Sequence, residues 1–399
     1  MTARPLRVLS ISTLFPNPAR PALGPFVASQ MQAVAARGDV DLVMVNPLGI
    51  PPWPLSLHPE YAALRGIGPS SPLGPLTVRH PRFTLIPRIG ARSNPTRIAR
   101  GVLPLARRLH AEAPFDLVDA QFFFPDGPAA GRIAAALDLP LTIKARGADI
   151  HHWGTQAGSG PQVLAAARQA AGILAVSEAL KADMAALGMD AGRITVHYTG
   201  LDRERFHPVP RDRVRAEIAG MLGIPPDGAL LVATGALIER KGQRLAIEAL
   251  ARLDRAGIRL ALAGKGPDEA ALRALAARLG LSDRVHVLGQ VGHDRLPRLL
   301  AAADAMVLPS ASEGLANVWV EALACGAPLV IPDIGGAREV VRHASAGRIA
   351  ARDPDAIAAA VRGLLADPPD QAAVAGNAAR FDWEVNADEL VRFWRRVAA

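Results

Sequence analysis

Short runs of β-branched and aliphatic residues alternate with longer Ala- and Leu-rich segments along the chain, and this series occurs twice. In the first half the predicted strands are Val8–Ser12, Val40–Val45, Phe83–Pro87, Leu117–Ala120, Leu141–Lys144, Gly172–Val176 and Ile194–Val196. In the second half they are Leu230–Thr234, Arg259–Ala263, Val285–Leu288, Ala305–Leu308 and Leu329–Ile331. Such alternation is typical of parallel sheets with helices on both faces. The sequence therefore predicts an α/β protein with two parallel-sheet domains.

A proline-containing segment, residues 206–210, separates the two series. A chain of 399 residues is too long for one ordinary domain and long enough for two, each with its own core. We predict an N-terminal domain over residues 1–205 and a C-terminal domain over residues 206–380, with a small-molecule cleft between them. Residues 381–399 are expected to form a helix that packs back on the N-terminal domain, because their large apolar side chains recur at helical spacing.

The segment between residues 47 and 111 is unusual in composition. Residues 47–81 are rich in proline, glycine and serine, which predicts an irregular insertion rather than sheet. From Tyr61 to Ala111 there is no acidic residue, but there are many arginines: Arg65, Arg79, Arg82, Arg88, Arg92, Arg97, Arg100, Arg107 and Arg108. Such a patch attracts the phosphates of a membrane surface or a lipid-linked substrate. A general preference for arginine on solvated faces explains it equally well.

The same composition excludes several classes of protein. Nucleic acid is disfavoured as a partner, because aromatic residues make up only 4% of the chain and offer no stacking platform. The single Cys325 excludes an internal disulfide framework and suits a reducing compartment. The sequence has no signal-peptide pattern at its N-terminus and no uncharged stretch long enough for a spanning helix. We therefore expect a cytoplasmic protein, which the arginines would hold at the inner face of the cell membrane.

The segment from Pro309 to Pro328 carries the clearest indication of chemistry. It begins where a predicted strand ends, at the edge where open α/β sheets bind ligands. Gly314 allows close approach of the backbone to a ligand, and the helix that follows presents free N–H groups suited to a diphosphate. Glu321 lies among apolar residues of that helix, where a carboxylate requires hydrogen-bond donors such as a ribose diol. Alternatively, Glu321 faces solvent and Glu313 is an ordinary loop acid.

Several ordered motifs resemble those of retaining glycosyltransferase family 4, the group 1 glycosyltransferases. They are Val176-Ser177-x3-Lys181, Gly200–Phe206, Gly235-x5-Lys241-Gly242, Gly264-Lys265-Gly266-Pro267, Val285–Gly289 and Glu313-x7-Glu321. The resemblance spans nearly the whole chain, and several motifs in order are far more specific than one. It implies the GT-B fold, in which two Rossmann-like parallel-sheet domains face each other across a cleft.

The resemblance also implies an activity. The chain would be a retaining, metal-independent, hexosyltransferase-type enzyme that needs no cofactor. It would move a sugar from a nucleoside-diphosphate sugar, most commonly UDP-linked in this family, to a glycan or lipid-linked glycan acceptor in surface polysaccharide or glycolipid synthesis. Glu313 would contact the donor sugar, Lys241 would neutralise the leaving diphosphate, and Glu321 would hold the ribose. The other substrate-binding residues implied are Gly314, Leu315, Gly264, Gly266, Arg240, Gly24, Arg146 and Asp149.

Two positions depart from the family pattern. Ala236 stands where the family often has arginine, and the neighbouring Arg240 is a candidate to supply that charge. Arg146 stands where many members have histidine in a His-Gly-x-Asp turn, and arginine cannot act as a base. These departures keep open an alternative, a catalytically degenerate GT-B protein that binds a sugar nucleotide as a partner or scaffold. Glu313, Lys241 and Glu321 are intact and favour the enzyme.

Other candidate sites are weaker. Asp39-Val40-Asp41 has the pattern of a metal-dependent transferase, but acids at a strand entrance are usually only solvated. The adjacent His151 and His152 point in different directions on any backbone, which disfavours a metal pair. Asp126 is interpreted as a helix N-cap, with the acceptor cleft as the alternative.

A dinucleotide-dependent dehydrogenase is disfavoured, because no Gly-x-Gly-x-x-Gly follows the first strand. A hydrolysing epimerase of the same architecture would be expected to carry more acids and histidines in the cleft.

Overall fold

The computed structural model describes residues 4–87, 90–253, 257–292 and 294–399. The chain divides into two compact units. Unit 1 comprises Met1–Gly200 and Trp383–Ala399, and unit 2 comprises Leu201–Asp382. Each unit has a parallel sheet and a hydrophobic core of its own. The predicted α/β class with two parallel-sheet domains is confirmed.

The main sheet of unit 1 is parallel except at one edge. The strands of this unit are β1 (Leu6–Ile11), β2 (Val40–Val45), β3 (Leu48–Ile50), β4 (Ser70–Leu73), β5 (Leu76–Arg79), β6 (Arg82–Thr84), β7 (Leu117–Ala120), β8 (Leu141–Ala145), β9 (Gly172–Ala175) and β10 (Ile194–Val196). In the described residues the sheet order is β10-β9-β8-β7-β1-β2-β5-β4, and only β4 is antiparallel to its neighbour. Strands β3 and β6 form a separate parallel pair. The strand order reverses between β1 and β7, which is the place where open α/β sheets bind ligands.

Helices cover both faces of this sheet. They are α1 (Pro25–Ala36), α2 (Pro59–Arg65), α3 (Asn94–Glu112), α4 (Asp126–Leu137), α5 (Ala148–His151), α6 (Gly160–Gln169) and α7 (Glu178–Ala186). On one face α3, α4, α6 and α7 bury an apolar cluster that includes Ile98, Ile133 and Val163. On the other face α1 buries Val27 and Met31 against the sheet. Removal of these aliphatic side chains from water is the main force that holds the layers together.

The prediction that residues 47–81 are irregular is wrong. The segment contains β3, α2, β4 and β5, and a 3₁₀ turn at Leu55–Leu57. Two of these strands extend the edge of the main sheet, where β4 and β5 form a hairpin. Proline is tolerated there because Pro72 lies on an edge strand, where its missing N–H breaks no ladder between two neighbours.

Unit 2 has an entirely parallel sheet. Its strands are β11 (Ala229–Thr234), β12 (Ile258–Ala263), β13 (Val285–Gly289), β14 (Ala305–Val307), β15 (Leu329–Ile331) and β16 (Gly347–Ile349). Its helices are α8 (Arg211–Leu222), α9 (Gln243–Ala251), α10 (Glu269–Arg278), α11 (Leu296–Ala302), α12 (Asn317–Ala324), α13 (Ala337–Val340), α14 (Pro354–Ala366) and α15 (Gln371–Gly376). Among the described residues the order is β13-β12-β11-β14-β15-β16. The reversal lies between β11 and β14, so the loops after these two strands line the expected ligand crevice.

The last helix, α16 (Trp383–Ala398), belongs to unit 1. It packs on α1 and buries Leu390 and Trp394 completely. The indole Nε1 of Trp394 donates to Asp119 Oδ1 at 3.1 Å. Asp119 lies inside the sheet, where it also accepts from Ser10 and Thr142, and burial raises the pKa of its carboxyl group. The helix is therefore fixed to the sheet by both apolar packing and a buried hydrogen bond.

Trp394→Ala is expected to lower the free energy of unfolding by about 3–5 kcal/mol, because it leaves a large cavity and removes a buried donor from Asp119. Urea unfolding followed by circular dichroism measures the change. Val385→Ala on the same helix is the control, since Val385 is 48% exposed and its truncation is expected to change stability by less than about 0.5 kcal/mol. Equal stability of the two variants would contradict the role given to Trp394.

Candidate functional site

The turns after β11 and β12 are pressed against each other. A Cβ atom at Gly264 would lie 1.8 Å from the carbonyl oxygen of Gly235, and one at Gly266 would lie 2.1 Å from that of Leu237. Gly264 also has a φ of +157°, which other residues rarely adopt. The two turns share a hydrogen bond from Leu237 N to Lys265 O at 3.0 Å. Glycine is therefore required at both positions, and the backbone is exposed to a ligand without intervening side chains.

An ion pair joins the loops after the two strands at the reversal of the sheet. Lys241 follows β11, Glu313 follows β14, and Lys241 Nζ donates to Glu313 Oε1 at 2.5 Å. Both side chains are largely withdrawn from solvent, with 14% and 11% of their surface exposed. A pair so shielded interacts more strongly than one at the surface. The structure thus brings together the two residues predicted to be catalytic.

Arg240 adds a second positive charge to this pair. Its Nη1 lies 3.7 Å from Glu313 Oε1 and donates to the carbonyl oxygen of Ser312 at 2.5 Å. Almost half of the Arg240 side chain remains exposed. Ala236, where a family arginine was expected, is exposed on the same turn. The loop after β11 therefore presents cationic groups from Arg240 and Lys241.

The loop that carries Glu313 is fixed from its other side. Gly336 N donates to Gly314 O at 2.7 Å, and a Cβ atom at Gly335 would lie 2.0 Å from Glu313 O. Leu315 is buried in this contact, which directs the backbone into α12. The first turn of α12 has N–H groups with no partner within the helix, and these attract anions at the carboxyl edge of the sheet.

Glu321 lies in the second turn of α12, after the loop that carries Glu313. Its side chain keeps some surface exposed, but the dense packing around it raises the pKa of the carboxyl group to about 7, with a small opposing effect from Arg205. The part of Glu321 in ribose binding stays a prediction. A carboxylate so placed can accept hydrogen bonds from a pair of hydroxyl groups.

The substrate residues predicted in the first half all lie in unit 1. Gly24 has a φ of +62° immediately before α1, and a Cβ there would lie 2.6 Å from Leu14 O. Arg146 donates from Nε to Gln121 O at 2.7 Å and from Nη2 to Gln30 Oε1 at 2.9 Å, and burial lowers its pKa to about 10. These contacts hold its guanidinium group in one orientation at the end of β8.

Asp149 has a different environment from that of an exposed binding residue. It is fully buried and accepts hydrogen bonds from the backbone N–H groups of Phe123, Arg146 and Gly147. Burial raises the pKa of its carboxyl group, whereas these amides lower it. The carboxylate fixes the turn that carries Arg146, and its part in substrate binding stays a prediction.

One of the two sequence interpretations of Asp126 is wrong. It is not the N-cap of α4, because its carboxylate accepts from Thr13 N at 2.9 Å and from Thr13 Oγ1 at 2.7 Å rather than from its own helix. Burial raises its pKa to about 7, and the nearby Asp149 adds to that shift. It thereby fixes the loop after β1 to the loop after β7. Only the sheet order, which makes these strands neighbours, could have shown this contact.

The weaker metal candidates have other partners. Asp39 pairs with Arg37 and Arg395 at the amino end of β2, away from the ligand edge of the sheet. His151 Nε2 lies 2.8 Å from Asp183 Oδ2 near the surface. Among the described residues there is no group of three or more His, Cys, Asp or Glu side chains that could hold a metal ion.

Two family models match the chain, one in each half. The model of glycosyl transferases group 1 matches residues 214–381, and the model of Glycosyltransferase Family 4 matches residues 60–205. The first contains Lys241, Glu313 and Glu321, and the second contains Arg146 and Asp149.

Named relatives are glycosyltransferases. The putative teichuronic acid biosynthesis glycosyltransferase TuaC of Bacillus subtilis (strain 168) is 28% identical over 346 residues, which are 83% of this chain and 82% of that protein. D-inositol 3-phosphate glycosyltransferase 2 of Catenulispora acidiphila is 36% identical over 217 residues, half of each protein. D-inositol 3-phosphate glycosyltransferase of Mycobacterium marinum is 34% identical over 220 residues, 52% of this chain and 46% of that protein. The chain thus matches about half the length of the inositol 3-phosphate enzymes.

Solved structures share the fold at low sequence identity. Anabaena HepE in complex with UDP aligns with a TM-score of 0.73 at 21% identity, covering 98% of this chain and 100% of that one. Sucrose-phosphate synthase from Thermosynechococcus elongatus aligns with a TM-score of 0.75 at 21% identity, covering 98% and 99%. Both have the GT-B fold, which this chain shares.

The raised pKa of Glu321 predicts a dependence of stability on pH. The ordinary value of 4.5 rises to about 7 on folding, so the folded state binds this proton more tightly than the unfolded state. Between these values, the free energy of unfolding should fall with rising pH by about 2–3 kcal/mol more in the wild type than in Glu321→Gln. Urea unfolding of both proteins across this range measures the difference. Parallel pH profiles would show that Glu321 is a normal surface acid.

Proposed function

The chain belongs to the glycosyltransferases of the GT-B fold, and we propose that it is a retaining, metal-independent hexosyltransferase. The donor is a nucleoside-diphosphate sugar, UDP-linked, and the acceptor is a glycan or lipid-linked glycan of a surface polysaccharide or glycolipid. The observation that carries this proposal is the shielded Lys241–Glu313 pair, 2.5 Å long, at the reversal of the unit 2 sheet. The name of the TuaC relative and the UDP and UDP-glucose complexes of HepE support the acceptor and donor classes.

The groups of unit 2 suit the departure of a diphosphate. Negative charge develops on the leaving phosphate as its bond to the sugar breaks, and Lys241 and Arg240 stabilise that charge. The N-terminus of α12 and the exposed turn backbones at Gly264 and Gly266 bind the diphosphate oxygens. Glu321 accepts hydrogen bonds from the ribose, and Glu313 orients both Lys241 and the hydroxyl groups of the donor sugar. Arg146 of unit 1, fixed by its hydrogen bonds, contributes to the acceptor side.

A degenerate sugar-nucleotide-binding protein is the second candidate. Ala236 and Arg146 are the residues that favour it, because they replace charged or basic groups common in the family. In the proposed enzyme the guanidinium of Arg240, which lies 3.7 Å from Glu313, supplies the charge that Ala236 lacks. The proposed enzyme and the degenerate protein would both bind a sugar nucleotide, but only the enzyme would transfer the sugar.

Thermal unfolding with a panel of nucleoside diphosphates and their sugars tests the donor. We expect one nucleotide, UDP, to raise the melting temperature of the wild type, because a ligand that binds only the native state stabilises it. The shift should be lost in Glu321→Ala and retained in Glu269→Ala, whose carboxylate lies on the exposed face of α10. A shift without release of UDP from any UDP-sugar would favour the degenerate protein. No shift with any nucleotide would overturn the proposed function.

We further propose that unit 1 binds the surface of an anionic membrane. The described part of the chain has no helix long and apolar enough to span a bilayer. A different feature supports surface contact: Trp53, Leu55 and Leu57 project into solvent with 79%, 55% and 61% of their surface exposed. Such side chains partition into the interfacial region of a bilayer. They adjoin α2, whose last residue is the exposed Arg65.

The arginines that were expected to form a basic patch do not form one compact cluster. Of those described, exposed side chains are Arg65, Arg82, Arg92, Arg100, Arg107 and Arg108, half-buried ones are Arg79 and Arg97, and Arg88 lies outside the described residues. Arg97 is near the start of α3 and Arg107 near its end, about 15 Å apart along the helix axis. Arg82 donates to Ile67 O at 3.0 Å, so part of its guanidinium is used within the fold. The exposed apolar residues therefore define the membrane surface better than the arginines alone.

Trp53→Ser combined with Leu57→Ser is expected to weaken binding to phosphatidylglycerol-containing vesicles by about tenfold or more, because two apolar side chains no longer leave water. Co-sedimentation measures the change. Met221→Ser combined with Leu279→Ser, which alters exposed apolar residues of unit 2, should leave binding unchanged. Failure of the wild type to bind anionic vesicles at any salt concentration would contradict membrane contact.

A further inference from the structure

Unit 1 contains a cavity of ≈ 310 Å³ at the ligand edge of its sheet. Its inner wall comes from the loops after β1, β2 and β7, which contribute Thr13, Asn46 and Phe124. These loops follow neighbouring strands at the point where the sheet order reverses. A cavity in this position is the usual ligand site of an open parallel sheet.

The outer wall comes from the insertion between β2 and α3. Tyr61 and Leu64 of α2 line one side, and Leu85 and Ile86 after β6 line another. The same α2 adjoins the 3₁₀ turn whose Leu55 and Leu57 are exposed. The apolar lining and the exposed apolar residues thus belong to one continuous segment of chain.

Three polar side chains of the lining are already used by the protein. Asn94 Oδ1 accepts from Ile86 N and its Nδ2 donates to Ile86 O, both at 3.1 Å. Asn46 Nδ2 donates to Ser12 O at 2.9 Å, and the Thr13 hydroxyl donates to Asp126. A free sugar, which needs many hydrogen-bond partners, is poorly matched to such a site. The cavity is instead matched to an apolar group.

One lining residue carries a positive charge. Arg20 follows β1 and has 41% of its side chain exposed. Its single ion pair in the described residues is a long one, 3.5 Å, to the exposed Glu60. A guanidinium held so loosely is available to a phosphate, which it binds with two parallel hydrogen bonds.

We propose that this cavity binds the part of the apolar chain next to the phosphate of a lipid-phosphate-linked acceptor. The apolar chain of the lipid lies against Tyr61, Leu85 and Ile86, and Arg20 binds the phosphate. This assignment rests on the proposed glycosyltransferase function and specifies its acceptor as lipid-linked rather than a free glycan. The exposed Leu55 and Leu57 then border the path by which the lipid leaves the bilayer.

Isothermal titration calorimetry of the full chain tests the assignment, with geranyl phosphate as the probe. Geraniol, inorganic phosphate and glucose are separate arms. We expect geranyl phosphate to bind about tenfold or more tightly than any of the three, because only it supplies both the apolar chain and the anion. Stronger binding of glucose would assign the cavity to a free sugar and overturn the proposal.

Amino-acid substitutions test where geranyl phosphate binds. Leu85→Glu places a carboxylate in the apolar wall and should weaken geranyl phosphate binding by about tenfold or more, whereas Leu279→Glu, the same change at an exposed leucine of unit 2, should not. Arg20→Gln, an exposed position that keeps the fold, should reduce the preference for geranyl phosphate over geraniol. Equal binding by wild type and Arg20→Gln would overturn the proposal.

The UDP-induced thermal shift is recorded on the same samples. It should be unchanged in Leu85→Glu and Arg20→Gln, because these two residues lie in unit 1 and the nucleotide site lies in unit 2. A normal UDP shift without geranyl phosphate binding would reject the lipid-phosphate site and leave the glycosyltransferase function intact. If UDP caused no thermal shift in the wild type, the proposed function itself would be rejected.

Discussion

The close contact of two turns is the constraint on which the site of unit 2 depends. Gly235 and Gly264 bring the loops after β11 and β12 together without side chains between them. The first loop then ends in Lys241, and the reversal of the sheet places Glu313 from the loop after β14 beside it. A side chain at Gly264 would clash with the carbonyl oxygen of Gly235, and one at Gly235 would be strained by its φ of +138°. Either change would disturb the first loop and with it the ammonium group of Lys241. Backbone packing, rather than the charges themselves, therefore sets the geometry of the ion pair.

In unit 1 a buried carboxylate has the corresponding role. Asp119 accepts hydrogen bonds from the strands on both sides and from Trp394 of α16. A buried carboxylate without such donors would be costly, so each donor is structurally required. The network makes the last helix part of the unit formed by the first half of the chain. At the carboxyl edge of the same sheet, Asp126 is joined to Thr13, which lines the cavity.

Much of the fold followed from periodicity, and the failures have a common physical origin. The central parallel strands are continuous apolar runs because both of their faces are buried, and they were predicted nearly to the residue. The edge strands β4 and β5 are short, half exposed and interrupted by proline, so they lack that pattern. Helix α8 has an equally weak apolar pattern, since five of its twelve residues are charged and it buries only Val214 and Ile218. Burial is the source of the pattern, and weakly buried elements lack it.

By itself the sequence determined the two α/β series, the motif residues and their place at strand ends, because local periodicity and glycine spacing are properties of neighbouring residues. It also identified Lys241, Glu313 and Glu321 as a set, through resemblance. Only the tertiary structure decided that Lys241 and Glu313 are in contact and that Asp126 binds Thr13, since these pairs are distant along the chain. It likewise decided that the asparagines of the unit 1 cavity are occupied by backbone groups. Sheet order decides which loops meet, and no local pattern encodes that order.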